Sequence, residues 1–178
     1  LCMQLKDKMG VQNILDREHE LHQIVWSKFQ ELSNVHLLAD NFPNRLGVYS
    51  FYIDNLHFNL AVQLLNDKYG IQVRGGCSCA GTYGHILLNI ESEQSCAITG
   101  KINDGDLTSK PGWVRMSIHP TMTDSEMHYI MNAIEDVAQH HESMAKEYVY
   151  NGATNEFVYK ENLFSQKNKE RAESWFEV

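Results

Sequence analysis

The sequence predicts an α+β fold, in which a small antiparallel or mixed sheet of three to four strands is backed by helices. Apolar residues recur at helical spacing near both ends of residues 1–140. Short runs rich in β-branched and aromatic residues lie between these helical stretches. The order is helix, two strands, helix and strand, followed later by a strand and a helix, and this order is typical of helices that cover one sheet.

The first third of the chain is predicted to contain a long helix and two strands. Apolar residues spaced by three, four and seven predict the helix over residues 10–32. Residues 35–39 and 46–53 are rich in strand-forming residues, and turn-forming residues separate them. We therefore expect these two segments to form an antiparallel pair.

The middle of the chain is predicted to alternate between helices and short strands. A helix capped by Asp54 or Asn55 is expected to end at Gly70. A short strand begins over residues 71–74, and residues 82–110 contain one or two helices followed by a loop.

The last predicted strand and helix follow clear local patterns. Alternation over residues 113–118 predicts a strand in which Arg115 points away from the core. Thr123 and Glu126 have the spacing of a capping box, so a helix is expected to begin there. Residues 140–178 show no strong period.

Length, charge and cysteine content exclude several classes of protein. A chain of 178 residues is long enough for one domain with a hydrophobic core. The net charge of −8, without a basic patch, argues against a nucleic-acid surface. Four cysteines are too few for a disulfide framework, which favours a reducing compartment. Because no apolar run reaches the roughly 18 residues of a membrane span, we expect a cytoplasmic protein without nucleic-acid or membrane partners.

The least ordinary segment is the glycine-rich loop over residues 75–81, which contains Cys77 and Cys79. Arg74 precedes this loop, and a nearby cation favours the thiolate form of a cysteine. From the local sequence, a reactive thiol and a small buried side chain that fills a tight loop explain these cysteines equally well.

A metal site is not expected in this loop. A single residue separates Cys77 from Cys79, whereas zinc sites usually have four ligands and two to four residues between paired cysteines. The further candidate ligands are few, namely Cys96, His85 and His119.

Arg115 is a second candidate for a binding role. A guanidinium on the outward face of a strand can hold a carboxylate through two parallel hydrogen bonds. From the local sequence, an ordinary ion pair with one of the 23 acidic residues is the favoured explanation. The chain has neither a phosphate-binding loop motif nor a dinucleotide fingerprint, so nucleotide binding is not supported.

Two segments together resemble a known enzyme family. Residues 73–81 read Val-Arg-Gly-Gly-Cys-Ser-Cys-Ala-Gly, and residues 112–117 read Gly-Trp-Val-Arg-Met-Ser. With the order of elements, they are similar to the C-terminal small domain of class V aminotransferases. This family of pyridoxal-phosphate enzymes includes cysteine desulfurases and selenocysteine lyases. The resemblance covers about residues 5–140.

The resemblance implies roles for three residues. Cys79 matches the cysteine that takes sulfur from a cysteine substrate as a persulfide and leaves alanine. Arg115 matches the arginine that holds the α-carboxylate of the small amino-acid substrate. Arg74 matches the loop arginine, for which a loop-shaping or electrostatic role at the substrate site is implied. The cofactor would act as the electron sink, while the protein would supply the nucleophile and the carboxylate clamp.

The chain departs from the family pattern in two places. Cys77 and Ser78 stand where desulfurases often have histidines. None of the ten lysines has the surroundings of the family's Schiff-base lysine, which lies in the large domain. We therefore expect the C-terminal part of a longer, homodimeric enzyme, inactive by itself. The missing N-terminal large domain would hold pyridoxal 5'-phosphate, and no cofactor site is expected in this chain.

The resemblance also suggests a division of the chain and leaves other functions open. Residues 1–140 are predicted to form the small domain, and residues 141–178 a C-terminal extension that packs on it or is partly mobile. An aminotransferase or lyase for another amino acid would need Arg115 but not Cys79. A non-enzymatic thiol- or metal-binding module would need no cofactor, and a purely structural domain would need neither residue.

Overall fold

The computed structural model describes residues 2–77, 81–160, 169–171 and 173–175, without the side chains of residues 81 and 82. The helices are α1 Cys2–Met9, α2 Val11–Glu31, α3 Phe58–Tyr69, α4 Gly81–Leu87, α5 Ser92–Asn103 and α6 Asp124–Met144. The strands are β1 Val35–Leu37, β2 Val48–Ile53, β3 Arg74–Gly76, β4 Trp113–Ser117, β5 Tyr148–Asn151 and β6 Glu156–Tyr159.

The first four strands form one antiparallel sheet in the order β1-β2-β4-β3. Helices α2, α3 and α6 cover one face of this sheet, and a single hydrophobic core lies between them. Its fully buried side chains include Leu21, Val25, Phe51, Leu64, Val114, Met131 and Ile134. The predicted α+β fold with a small sheet backed by helices is therefore confirmed.

The first predicted helix is confirmed as α2, and a further helix that was not predicted, α1, precedes it. Gly10 adopts a φ of +83°, which glycine tolerates and most residues do not, and this separates α1 from α2. The buried stripe of α2 packs into the core as its spacing predicts. No residue of α1 is buried, and its Met3 and Leu5 are exposed.

Helix α3 ends where the sequence predicts but begins later. Gly70 takes the left-handed conformation with a φ of +67° and ends the helix. The predicted cap on Asp54 or Asn55 is wrong, because these residues form the turn that follows β2 and Asn55 itself has a φ of +56°. His57 is the cap, and its Nδ1 accepts a hydrogen bond of 3.1 Å from the Asn59 backbone N–H.

The third strand is displaced from its predicted position. The backbone N–H of Ile71 donates a hydrogen bond to the carbonyl of Leu65 and so still belongs to the end of α3. Pairing with β4 therefore begins only at Arg74. Two helices, α4 and α5, follow within the segment predicted to hold one or two. The capping box of Thr123 and Glu126 is confirmed at the start of α6.

Strands β5 and β6 form an antiparallel hairpin that the sequence does not predict. Each strand has four residues, which is too short for a convincing period of its own. The hairpin packs on α3, where the Tyr148 hydroxyl donates a hydrogen bond of 3.0 Å to the Asp67 carboxylate. Among the described residues, no helix has the length and the apolar character needed to cross a bilayer.

Candidate functional site

Arg115 lies in the middle of the sheet on the face away from the core. Its neighbours Val114 and Met116 are buried, whereas Arg115 is half-buried. In the antiparallel register Arg115 is opposite Ser50 of β2 on one side and Arg74 of β3 on the other. Opposite residues share a face, with Cα atoms about 4.5–5.5 Å apart. Ser50, Arg115 and Arg74 therefore form a row across the sheet, here called the arginine row.

The arginine row places two positive side chains next to each other. Like charges directly opposite in a sheet are destabilising. No carboxylate of the described residues lies within 4.0 Å of either guanidinium, although the chain has a net charge of −8. The ordinary ion pair that the sequence favours for Arg115 is thus not formed within this part of the chain. Such a row is suited to an anion, and a carboxylate can accept two parallel hydrogen bonds from one guanidinium.

Helix α4 lies beside this row and covers Trp113. The indole is on the same face as Arg115, yet it is only 4% exposed. Gly84 of α4 approaches it so closely that a β-carbon at Gly84 would lie 3.1 Å from Cζ3 of the indole. The same β-carbon would lie 3.6 Å from the β-carbon of Cys77. Glycine at this position therefore allows α4 to pack next to the strand that carries Arg115.

The glycine-rich loop is described at its two ends. Cys79, the predicted nucleophile, lies outside the described residues, so its role stays a prediction. Cys77 is a half-buried free thiol. Gly76, which precedes Cys77, has a φ of +118°, a conformation that favours glycine. Glycine is thus required at the point where β3 passes into the loop.

The histidines near these loops make local hydrogen bonds. His85 Nδ1 lies 2.6 Å from Ser95 Oγ and connects α4 with α5. His119 Nδ1 lies 2.8 Å from Thr121 Oγ1, and His57 caps α3. Within the described ranges, no three His, Cys, Asp or Glu side chains are grouped so that they could hold a metal ion.

The described residues do not fit pyridoxal phosphate. The cofactor needs a lysine amine that is free to react and a cationic cradle for its phosphate. Lys28 and Lys68 are held in ion pairs with glutamates, which raise their pKa values. Lys110 lines a groove of about 340 Å³ beside α3, but the groove contains Glu156 and no second cation. The other described lysines are exposed: Lys6, Lys8, Lys101, Lys146, Lys160 and Lys169.

Sequence reasoning selects both arginines but misses their serine neighbour. Buried Tyr49, Phe51 and Ile53 alternate along β2, and this pattern places Ser50 on the outer face. Its position opposite Arg115 follows from the strand order, which the local pattern does not contain. The substrate-binding roles of Arg74 and Arg115 stay predictions, while their juxtaposition is an observation.

Comparison with known proteins agrees with the resemblance of the two sequence segments. The family described as aminotransferase class-V matches residues 2–130. Among solved structures, the chain is similar to the cysteine desulfurase CsdA from Escherichia coli, with a TM-score of 0.43 and 17% sequence identity. That match covers 70% of this chain and 25% of the desulfurase, so the chain spans about a quarter of that enzyme's length. No curated protein matches the chain. On the family match, the chain belongs to the class V aminotransferases.

Proposed function

We propose that this chain is the small domain of a larger, homodimeric pyridoxal-phosphate enzyme of the cytoplasm and that its arginine row binds the carboxylate of an amino-acid substrate. The observation that carries the proposal is that Arg74 and Arg115 lie opposite each other in the sheet and that no carboxylate of the described residues lies within 4.0 Å of either guanidinium. A substrate carboxylate on Arg115 would relieve the repulsion between Arg115 and Arg74. The large domain would supply the cofactor, which withdraws electrons from the bound amino acid.

The reaction that we propose for the parent enzyme is sulfur transfer from L-cysteine. Arg115 would hold the substrate, and the thiol of Cys79 would receive its sulfur, with Arg74 at the start of the same segment favouring the reactive thiolate. The carbon–sulfur bond of the substrate breaks and a sulfur–sulfur bond forms on Cys79. The proton that the thiol gives up is balanced by one gained at the substrate carbon, which becomes the methyl group of L-alanine. The transfer therefore needs no external oxidant or reductant.

A transamination or lyase reaction on another amino acid is the second candidate. It is favoured by Cys77 and Ser78, which replace the histidines that often precede the cysteine in desulfurases. This reaction would use the arginine row in the same way and would not need Cys79.

The test uses the parent enzyme, expressed from its native start and loaded with pyridoxal phosphate. After incubation with L-cysteine, the peptide that contains Cys79 is weighed under non-reducing conditions. We expect a mass increase of one sulfur atom that reductant reverses, that persists in Cys77→Ser and that disappears in Cys79→Ser. An unmodified peptide in an enzyme that binds the cofactor would exclude sulfur transfer and leave the second candidate.

The carboxylate role of the row is tested separately. Arg115→Lys keeps the charge but loses the two parallel hydrogen bonds, so KM for the amino acid should rise about tenfold or more. Arg171→Lys, an exposed arginine near the C-terminus, is the matched control and should leave KM unchanged. An unchanged KM in Arg115→Lys and in Arg115→Ala would show that the row does not bind the substrate.

A further inference from the structure

We propose that the β5–β6 hairpin positions the arginine row and that it acts through Phe58 and Asn59 at the start of α3. The consequence for substrate binding rests on the proposed function, whereas the positioning itself can be tested without it. The hairpin, residues 148–159, lies beyond the part of the chain that matches the family, residues 2–130. The family match therefore does not extend to the hairpin.

The hairpin is attached to the start of α3 by one polar contact and one aromatic cluster. The Asn59 side-chain amide donates a hydrogen bond to the backbone carbonyl of Asn155. The imidazole of His57 packs against Tyr150 and Phe157, with ring centroids 5.4 Å and 5.3 Å away. The first turn of α3 and the hairpin consequently form one packed unit.

The same turn of α3 presses against the two strands that carry the arginines. A β-carbon at Gly75 of β3 would lie 3.0 Å from Asn59 Oδ1 and 3.0 Å from Phe58 Cδ2. A β-carbon at Gly112, directly before β4, would lie 2.6 Å from Phe58 Cε1. The Phe58 ring therefore lies against both glycines, one within β3 and the other directly before β4. A shift of this ring would move the strands relative to each other and change the spacing of the guanidinium groups.

The turn of the hairpin makes a further contact with the segment that leads into β4. The backbone N–H of Leu107 donates a hydrogen bond of 3.3 Å to the carbonyl of Gly152. The turn itself is held by the Tyr150 hydroxyl, which donates to Asn155 Oδ1 at 2.8 Å. Asn155 is 7% exposed and has a φ of +57°. The hairpin thus contacts the approach to β4 as well as the helix behind β3.

Two substitutions in this chain each remove one contact between the hairpin and the start of α3, and so test whether the hairpin positions the arginine row. Asn59→Ala removes the hydrogen bond to the hairpin, and Phe157→Ala removes its aromatic contact with α3. The first readout is the side-chain Nε–Hε resonance of Arg74 and Arg115 in nitrogen-15 NMR spectra. The second is the rate at which iodoacetamide alkylates Cys77, which directly follows β3. We expect both variants to shift the two resonances and to raise the Cys77 rate about tenfold.

The two controls lie away from these contacts. Asn132→Ala removes an exposed asparagine of α6, and Val158→Ala is on the opposite face of β6, where Val158 is 46% exposed. Exposed Cys96 serves as an internal standard for alkylation. The double variant Asn59→Ala/Phe157→Ala should shift the resonances by less than the sum of the single variants, since both act through one contact unit. If either variant fails to fold, Tyr150→Phe replaces it, because it removes a single hydroxyl.

The outcomes separate this inference from the proposed function. Arginine resonances and a Cys77 rate that match the controls in folded variants would overturn the positioning role. Additive effects in the double variant would also overturn it, because the two contacts would then act independently. Shifted resonances support the role whether or not Arg115 binds a carboxylate, which the KM of Arg115→Lys decides independently.

Discussion

One added methyl group at Gly112 should destabilise the protein by about 1–3 kcal/mol. In Gly112→Ala the new β-carbon would lie 2.6 Å, 2.7 Å and 2.9 Å from three carbon atoms of the Phe58 ring. Ordinary contacts between carbon atoms are about 3.5–4.0 Å. Phe58 is 7% exposed and is in contact with Gly75 on β3, so its ring cannot withdraw without displacing that strand. The excess methyl group therefore produces overpacking in the core.

The assay is urea unfolding, followed by circular dichroism, with Gly100→Ala as the matched control. A β-carbon at Gly100 of α5 would meet no atom within 4 Å, and alanine favours helix more than glycine. The free energy of unfolding of Gly100→Ala should rise by up to about 1 kcal/mol, so the two substitutions should change stability in opposite directions. Adding Phe58→Leu to Gly112→Ala should recover part of the loss. A Gly112→Ala protein as stable as the wild type would refute the close packing of Phe58 against Gly112.

Three other substitutions test separate parts of the fold. Burial lowers the pKa of His57 below its ordinary 6.5, so the unfolded chain takes up the proton first and stability falls as pH decreases below about 6.5. One such group changes the free energy of unfolding by at most about 1.4 kcal/mol per pH unit. In urea unfolding between pH 7.5 and 5.5, the stability of His57→Asn should therefore fall less than that of the wild type, and equal losses would contradict this. Thr123→Ala removes the capping box of α6 and should lower the stability of the folded protein by about 0.5–2 kcal/mol. Thermal unfolding measures this loss, and an unchanged melting temperature would exclude a contribution from the cap. Met131→Ala should lower the free energy of unfolding by about 2–5 kcal/mol because Met131 is 1% exposed. The matched control Asn132→Ala, at an exposed position, should change it by no more than about 0.5 kcal/mol, and equal losses would place Met131 outside the core.

The sequence by itself determined the main helices, the first strand pair and the family. The stripe of α6 that includes Met127, Ile134 and Val137 is a local pattern, and so are its capping box and the glycine that ends α3. Such signals depend on residues within one or two turns of each other, so they can be recognised without the fold. The two motifs that contain Arg74 and Arg115 indicated the family from the residues alone, and the family match agrees with them.

Only the tertiary structure decided how these elements meet. The position of Arg74 opposite Arg115 depends on strand order and register, which long-range packing sets between segments distant in the chain. Asp54 and Asn55 are good capping residues by local preference, but the turn after β2 uses them and leaves the cap to His57. The four-residue strands of the hairpin are too short to be predicted, and they are stabilised by packing on α3. Local pattern thus determined the long helices and the first strand pair, whereas contacts between remote segments determined the hairpin, the cap of α3 and which side chains share a site.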